Sequence, residues 1–268
     1  MNILFLGDVV GRSGRDAVVS HVKQLREEWN LDFVIVNGDN AAGGFGITPA
    51  ICKDFYEAGV DVITGGDHVW DQREATAYLS EEKRLLRPQN YPERTPGIGH
   101  HVYEAGGKRV LVIHTLGQVF IRDQVDCPFA AADTILEAYR LGGELSAIVV
   151  DFHAEATSEK TAMGKYLDGR VSMVTGSHTH VPTADARVLP KGTAFQTDAG
   201  MCGDYDSVIG FDAEGPLKRF LTKLPKVKLE AARGEGTLCG LLVETDDATG
   251  LAKSCKSVQY PNMLGSNT

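Results

Sequence analysis

Asp8, Asp39, Asp67, His153, His178 and His180 are the side chains whose types and placing could hold transition metals. Each follows a short apolar, β-branched run: Ile3 to Leu6 before Gly7-Asp8, Val34 to Val36 before Asn37-Gly38-Asp39, and Val62 to Thr64 before Gly65-Gly66-Asp67-His68. Ile148 to Val150 precedes Asp151-Phe152-His153, and Val171 to Thr175 precedes Gly176-Ser177-His178-Thr179-His180. Carboxylate oxygens mixed with imidazole nitrogens suit manganese, iron or zinc better than calcium or magnesium. So many donors exceed the needs of one tetrahedral ion. They suit two ions about 3.5–4 Å apart that share a carboxylate and a bridging hydroxide, an arrangement used for in-line displacement at phosphorus. The reaction class implied is phosphoester hydrolysis.

Taken singly, each residue has a plainer reading. An aspartate after a strand often shapes a turn or caps a helix, and the Gly11-Arg12-Ser13-Gly14 stretch can be a simple turn. The recurrence carries the argument, because five accidental endings of one kind would have to coincide. His178-Thr179-His180 adds to it, since alternation in an extended chain sets two imidazoles side by side. On the same alternation His68 points away from Asp67, which places it better as a proton donor than as a ligand. His114 also ends an apolar run, and both a site role and a core role stay open for it. His21, His100 and His101 read as surface residues, and Trp70 as a core residue or a pocket wall.

The elements that must position these groups are legible as short runs bounded by glycine, which read as buried strands of a mainly parallel sheet. Ligands collect outside the carboxyl ends of such strands. Helical spacing runs from Asp16 to Trp29, Phe129 to Leu141 and Ser158 to Leu167, and Thr48-Pro49 reads as an N-cap followed by proline at the first helical position. Hairpins are expected over 101–114 and 187–197, each turning at a glycine-containing loop. Further antiparallel strands are expected at Val227–Glu230, Leu238–Thr245 and Leu251–Val258. Two sheets face to face with helices outside accommodate the whole, as one domain over residues 1–258 with a frayed polar tail over 259–268.

The chain has 268 residues, 43% of them hydrophobic, with no linker or charge block to divide it. Its formal charge of -9 argues against holding long nucleic acid, which requires a dense basic face. Five scattered cysteines with no C-x-x-C pair suggest neither a disulfide framework nor a zinc ribbon and fit a reducing cytoplasm. No apolar stretch reaches the ~18 residues of a membrane span, so no membrane association is expected.

The ordered set Gly7-Asp8, Gly38-Asp39, Gly66-Asp67-His68, His153 and Gly176-Ser177-His178-Thr179-His180 resembles the motifs of calcineurin-like metallophosphoesterases. Gly7-Asp8-Val9-Val10-Gly11, Asn37-Gly38-Asp39-Asn40-Ala41-Ala42, the run from Asp151 to Lys160, Leu189-Pro190-Lys191-Gly192-Thr193-Ala194 and Thr197-Asp198-Ala199-Gly200-Met201 resemble its bacterial YmdB branch more closely. The resemblance runs from the first residue to about Val258. It implies a four-layer αββα sandwich, two metal ions per chain, iron or manganese with zinc as a further option, and hydrolysis of small cyclic nucleotides, above all 2',3'-cyclic nucleoside monophosphates. Asp8, Asn40 and His180 would hold one ion, Asp67, His153 and His178 the other, with Asp39 bridging and His68 protonating the leaving oxygen. Val10 stands where most of the superfamily has a histidine, as the branch leads one to expect, and Asn40 substitutes as ligand. Asp39 stands where the branch usually has glutamate, and Asp67 where it usually has asparagine. An extra carboxylate there should temper the metals' Lewis acidity. Two other functions stay open on the residues: a metal-dependent regulatory protein that binds nucleotide or a partner with little turnover, and a phosphomonoesterase or RNA phosphodiesterase. A homo-oligomer is possible on either view.

Overall fold

Short β-branched runs alternate with amphipathic stretches, and the secondary structure follows that alternation. In the computed structural model, which describes residues 1–224 and 227–261, the first half runs β1 (Asn2–Leu6), β2 (Asp8–Val9), α1 (Gly11–Glu28), β3 (Phe33–Asn37), α2 (Pro49–Glu57), β4 (Val62–Thr64), α3 (Ala75–Glu81), β5 (Leu85–Leu86), β6 (His100–Ala105) and β7 (Lys108–Leu116). The second half runs α4 (Pro128–Ala138), β8 (Ala147–His153), α5 (Thr157–Leu167), β9 (Met173–Ser177), β10 (Arg187–Val188), β11 (Ala194–Gln196), β12 (Met201–Cys202), α6 (Glu214–Thr222), β13 (Leu238–Thr245) and β14 (Ala252–Tyr260).

One sheet has the order β14-β13-β1-β3-β4-β5, parallel from β1 to β5 with β13 and β14 added antiparallel. The other has the order β10-β11-β9-β8-β7-β6, its inner four strands parallel and its edges antiparallel. The strands expected to share a rim therefore divide between two sheets, β1, β3 and β4 in the first and β8 and β9 in the second. Alternation along each strand decides which layer a residue enters. Ile3, Phe5, Phe33 and Ile35 meet Val110, Val112, Val149 and Met173 between the sheets. Leu4, Leu6, Val34 and Val36 point the other way and pack with Val18, Val22, Leu25, Ile51 and Phe55 of α1 and α2. Leu111, Ile113, Ile148 and Val150 cluster with Ile135, Leu136, Met163 and Leu167 of α4 and α5 on the far side. The four-layer αββα sandwich is the fold. Each such side chain contributes about 1.5–3 kcal/mol on burial, so a one-residue slip of any central strand is strongly disfavoured.

Several local expectations need correction. α1 starts at Gly11 rather than Asp16, because Gly14 lets the helix lie against β12; a Cβ there would sit 2.1 Å from the carbonyl oxygen of Cys202. The expected strand over Val227–Glu230 is irregular chain, tied to the start of α6 by Asp212 N donating to Glu230 O at 2.8 Å. β14 continues to Tyr260, which pairs with Leu238, so the first two residues of the expected tail are strand and 262–268 lie outside the described residues. The short elements β2, β5, β12 and α3 have little pattern of their own and escape the periodicity, and α6 was not expected either. The described cysteines are all unpaired, and among the described residues no helix is long and apolar enough to cross a membrane.

Candidate metal centre

The carboxyl ends of the two sheets meet at one edge of the sandwich, and polar bonds cross there from sheet to sheet. The backbone N–H of His178 donates to both oxygens of Asp8, at 3.1 and 3.0 Å. Asn37 Nδ2, at the end of β3, donates to Asp151 Oδ2 at 3.0 Å, and His153 Nε2 lies 3.2 Å from Asp67 Oδ1. Gly66 permits this approach: a Cβ on it would fall 2.5 Å from both Asp39 Cγ and His153 Nε2. Any other residue there would push the two sheets' candidate ligands apart.

All seven residues proposed as ligands come together. Asp67, His153 and His178 bring ligand atoms within 4.8 Å of one another, with His178 Nδ1 3.1 Å from His153 Nε2 and 3.5 Å from Asp67 Oδ1. Beside them, His180 Nε2 lies 3.1 Å from Asn40 Oδ1 and 4.0 Å from Asp8 Oδ1. Asp39 sits between, its Oδ2 3.5 Å from His153 Nε2 and buried without a hydrogen-bond partner. A buried, unsatisfied carboxylate oxygen is costly unless a cation meets it. Together with imidazole nitrogens that converge on one another, it shows a donor set that fits metal ions.

The titration behaviour points the same way. Burial raises the Asp8 carboxyl to about 7, although His153 pulls it partly back. Burial also lowers His180, leaving it neutral and able to ligate. For His153 burial works downward but is outweighed by Asp39, Asp67 and Asp8, so its imidazole titrates well above the ordinary value. Asp67 is held far below the usual carboxylate range, because bonds from His153 and His178 overcome its burial.

Behind the candidate ligands lies a second layer of polar residues, fully buried. His153 Nδ1 donates to Ser177 Oγ at 2.9 Å, and that hydroxyl donates to Asp151 Oδ1 at 2.7 Å. Thr64 Oγ1 also donates to Asp151, at 2.6 Å. The chain holds Nδ1–H toward Ser177, so that once Nε2 gives up its proton that nitrogen is the one free to meet an ion, as metal-binding histidines require. Asp151 is pulled down to about 2, its burial outweighed by His114, His153 and Ser177. His114 belongs to this layer, its Nδ1 3.2 Å from Asp151 Oδ2, and not to the site surface. It lies on β7, which pairs with β6 in the expected hairpin and in parallel with β8.

The two histidines of the 178–180 segment are not arranged by strand alternation. Both have positive φ, 94° and 66°, a backbone state unfavourable for residues other than glycine, and they serve opposite ends of the site. Thr179 between them is gripped by Asp198, which accepts from Thr179 N at 3.2 Å and Thr179 Oγ1 at 2.6 Å. Asp198 is in turn paired with Lys160 at 2.5 Å, both side chains 1% exposed. Thirty-eight residues separate that pair, so no local pattern could announce it.

His68 lies in a turn rather than an extended segment, so alternation is not what aims it. Its Nδ1 contacts Asp71 Oδ2 at 2.8 Å, and its Nε2 is 3.9 Å from Asp67 Oδ2. Asp39, Asp67 and His68 also bring ligand atoms within 4.8 Å, but with Nδ1 occupied only Nε2 remains for the site. Asp71 was not singled out in the sequence; its signal is the three-residue spacing from His68, one turn of chain. Of the remaining aromatic and histidine residues, Trp70 packs edge-on to Tyr91 at 4.6 Å and against the α1–α2 core cluster. His100 and His101 are half-buried on β6, and His21 packs against Tyr260.

Comparison with known proteins places this arrangement in a group. A relative from Bacillus subtilis (strain 168), 47% identical over 250 residues and matched over 93% of each chain, is named 2',3'-cyclic-nucleotide 2'-phosphodiesterase. The solved structure of a hypothetical protein from Thermus thermophilus superposes with a TM-score of 0.90 at 42% identity, covering 97% of this chain and 99% of that one. A structure described as a novel phosphatase from Mycoplasma pneumoniae gives a TM-score of 0.90 at 33% identity, over 97% and 92% of the two chains. The sequence profile of the YmdB-like protein family matches residues 4–258. With the fold, the rim of acids and imidazoles and this match over nearly its whole length, the chain belongs to the YmdB-like family of metallophosphoesterases.

Proposed function

We propose that this chain is a metal-dependent phosphodiesterase that opens small cyclic nucleotides, 2',3'-cyclic nucleoside monophosphates foremost, with His68 as the general acid. The observation that carries the reading is His68 itself, tethered by Asp71 through Nδ1 and presenting Nε2 to the cluster of donors at 3.9 Å from Asp67. The name of the Bacillus relative supports the substrate class.

Asp8, Asn40 and His180 would hold one transition-metal ion, Asp67, His153 and His178 a second, and Asp39 would touch both. Such ions, iron or manganese as the family resemblance implies with zinc as an alternative, would supply an activated water at neutral pH and polarise the phosphoryl oxygens. The protein's own part is positional and protic. Ser177 and Asp151 keep His153 in one tautomer, and Asp198 keeps His178 and His180 in register. For His68, burial works against charge, but Asp39, Asp67 and Asp71 more than offset it and raise its titration above the ordinary imidazole value. Asp71, which would hold no ion, keeps its carboxylate at Nδ1 and favours the protonated ring from which Nε2 can donate. When the P–O2' bond breaks, Nε2 gives its proton to the departing ribose oxygen, Asp71 steadies the ring through Nδ1, and water supplies the oxygen that joins phosphorus. The product is a nucleoside 3'-monophosphate.

A substrate panel on the manganese-reconstituted protein tests this. Adenosine 2',3'-cyclic phosphate should be turned over faster than adenosine 3'-monophosphate or an RNA oligonucleotide. Preference for the monoester or the oligonucleotide would overturn the substrate class, and saturable binding without turnover would make the protein a nucleotide-responsive regulator instead.

A further inference from the structure

The reading above puts the ribose 2'-oxygen at His68 Nε2, and only C2' and C1' separate that oxygen from the nucleobase. The base must therefore lie close beside His68. What stands there is Phe45, whose ring centroid is 5.1 Å from that of His68 at an interplanar angle of 77°. Phe211 backs it at 5.4 Å and 35°.

Phe45 is a half-buried loop aromatic whose position is set by its neighbours. It sits in Gly43-Gly44-Phe45-Gly46, where all three glycines have positive φ. A Cβ on Gly44 would lie 2.6 Å from the Phe211 ring, and one on Gly46 would lie 2.8 Å from the carbonyl oxygen of His68. The loop is tied to the candidate site on both sides. Asn40 Nδ2 donates to Gly44 O at 3.0 Å, Gly46 N donates to Asp39 O at 2.6 Å, and Gln72 Nε2 donates to Phe45 O at 2.8 Å. Among the described residues, neither Phe45 nor Phe211 packs into any of the three apolar clusters. An aromatic fixed this firmly beside the acid, with no core to fill, has the properties of a stacking surface, which tolerates any base because every base has a π-face.

We propose that Phe45, backed by Phe211, is the platform on which the nucleobase of the cyclic nucleotide stacks. This rests on the phosphodiesterase reading, and the test separates the two. The manganese-loaded wild type, Phe45→Ala, Phe45→Leu and Phe45→Tyr are compared on adenosine 2',3'-cyclic phosphate and on glycerol 1,2-cyclic phosphate, which has no base. Base–aromatic stacking is worth enough that the ratio of kcat/KM for the two substrates should fall about 5- to 150-fold in Phe45→Ala. The fall should be carried by KM, since stacking is the same in ground and transition states. Phe45→Leu should lose the ratio as alanine does, because it keeps apolar bulk but no flat face, and Phe45→Tyr should restore it. An equal loss on both substrates would show that the ring only props His68, and no loss on either would show that it does nothing; both overturn the proposal. If the wild type opens neither substrate, the phosphodiesterase reading fails. Calorimetry then decides the platform alone: weaker binding of adenosine 3'-monophosphate by Phe45→Ala, with inorganic phosphate bound as before, supports it, and equal binding of the nucleotide overturns it.

Discussion

In the proposed mechanism His68 would divide its labour between two nitrogens, Nδ1 held by Asp71 and Nε2 left to serve the leaving oxygen. Replacing it with alanine should cut turnover by roughly 10²–10⁴, the range for loss of a general acid, while metal content by elemental analysis stays at the wild-type value. The loss should shrink for a nitrophenyl ester, whose leaving oxygen needs little protonation; loss of metal would instead make His68 a ligand. Asp67 poses a different question. Its Oδ1 faces both His153 and His178, and asparagine would retain an oxygen there without the charge. Asp67→Asn should therefore give a higher kcat with weaker retention of one ion, because one negative donor is lost. A slower enzyme with its metal content intact would mean that Asp67 serves another purpose. At this scale the sequence was most informative about acids and imidazoles, since a polar group after a buried run is conspicuous. It was silent about residues such as Asp71, Ser177 and Asp198, whose roles arise only from what they touch.

The segment from His178 to His180 depends on α5 and on the chain before β12 for its shape. Gly176 leaves room for this, since a Cβ there would meet the Thr197 carbonyl oxygen at 1.8 Å and Lys160 Cδ at 2.8 Å. Lys160→Met would strand the buried Asp198 charge and should destabilise the protein by about 3–5 kcal/mol, measured by denaturant unfolding. Adding Asp198→Asn should recover much of that stability, because no lone charge then remains. Metal retention should stay impaired, since Asp198 accepts at both oxygens, from Gly200 N at Oδ1 and from Thr179 at Oδ2, and an amide has only one acceptor to offer. If stability and retention recover together, Asp198 does not shape the ligand segment. The same case shows where element prediction runs out. Strands such as β3 and β8 are legible because burial on both faces makes them nearly unbroken apolar runs. The turn at Asp67 to Trp70 and the left-handed histidines are set by tertiary contacts, and period-two reasoning misplaced both.

Across the whole molecule, metal uptake and proton release are linked. Asp8, raised to about 7 by burial, and His153, raised by its acidic neighbours, must each give up a proton before they can ligate. Both shifts have the same sign for this purpose: affinity of the metal-free protein for manganese should rise with pH through neutrality and fall as pH drops below about 7. Calorimetric titrations in buffers of different ionisation enthalpy would count the protons released, and a flat affinity from pH 6 to 8 would contradict the assignment. The fold class was legible because one series of parallel strands together with hairpins and late antiparallel strands left few topologies, whereas the division of the rim between two sheets was not. That division has a consequence for biosynthesis. Asp8 and His178 are 170 residues apart, and β1, which delivers Asp8, pairs on one side with β13 through Asn2↔Glu244. A growing chain therefore cannot assemble the centre from its first half alone. The chain must leave the ribosome at least as far as His180 before the donors can close on an ion, so metal capture should come late and mark a molecule whose two sheets have already docked.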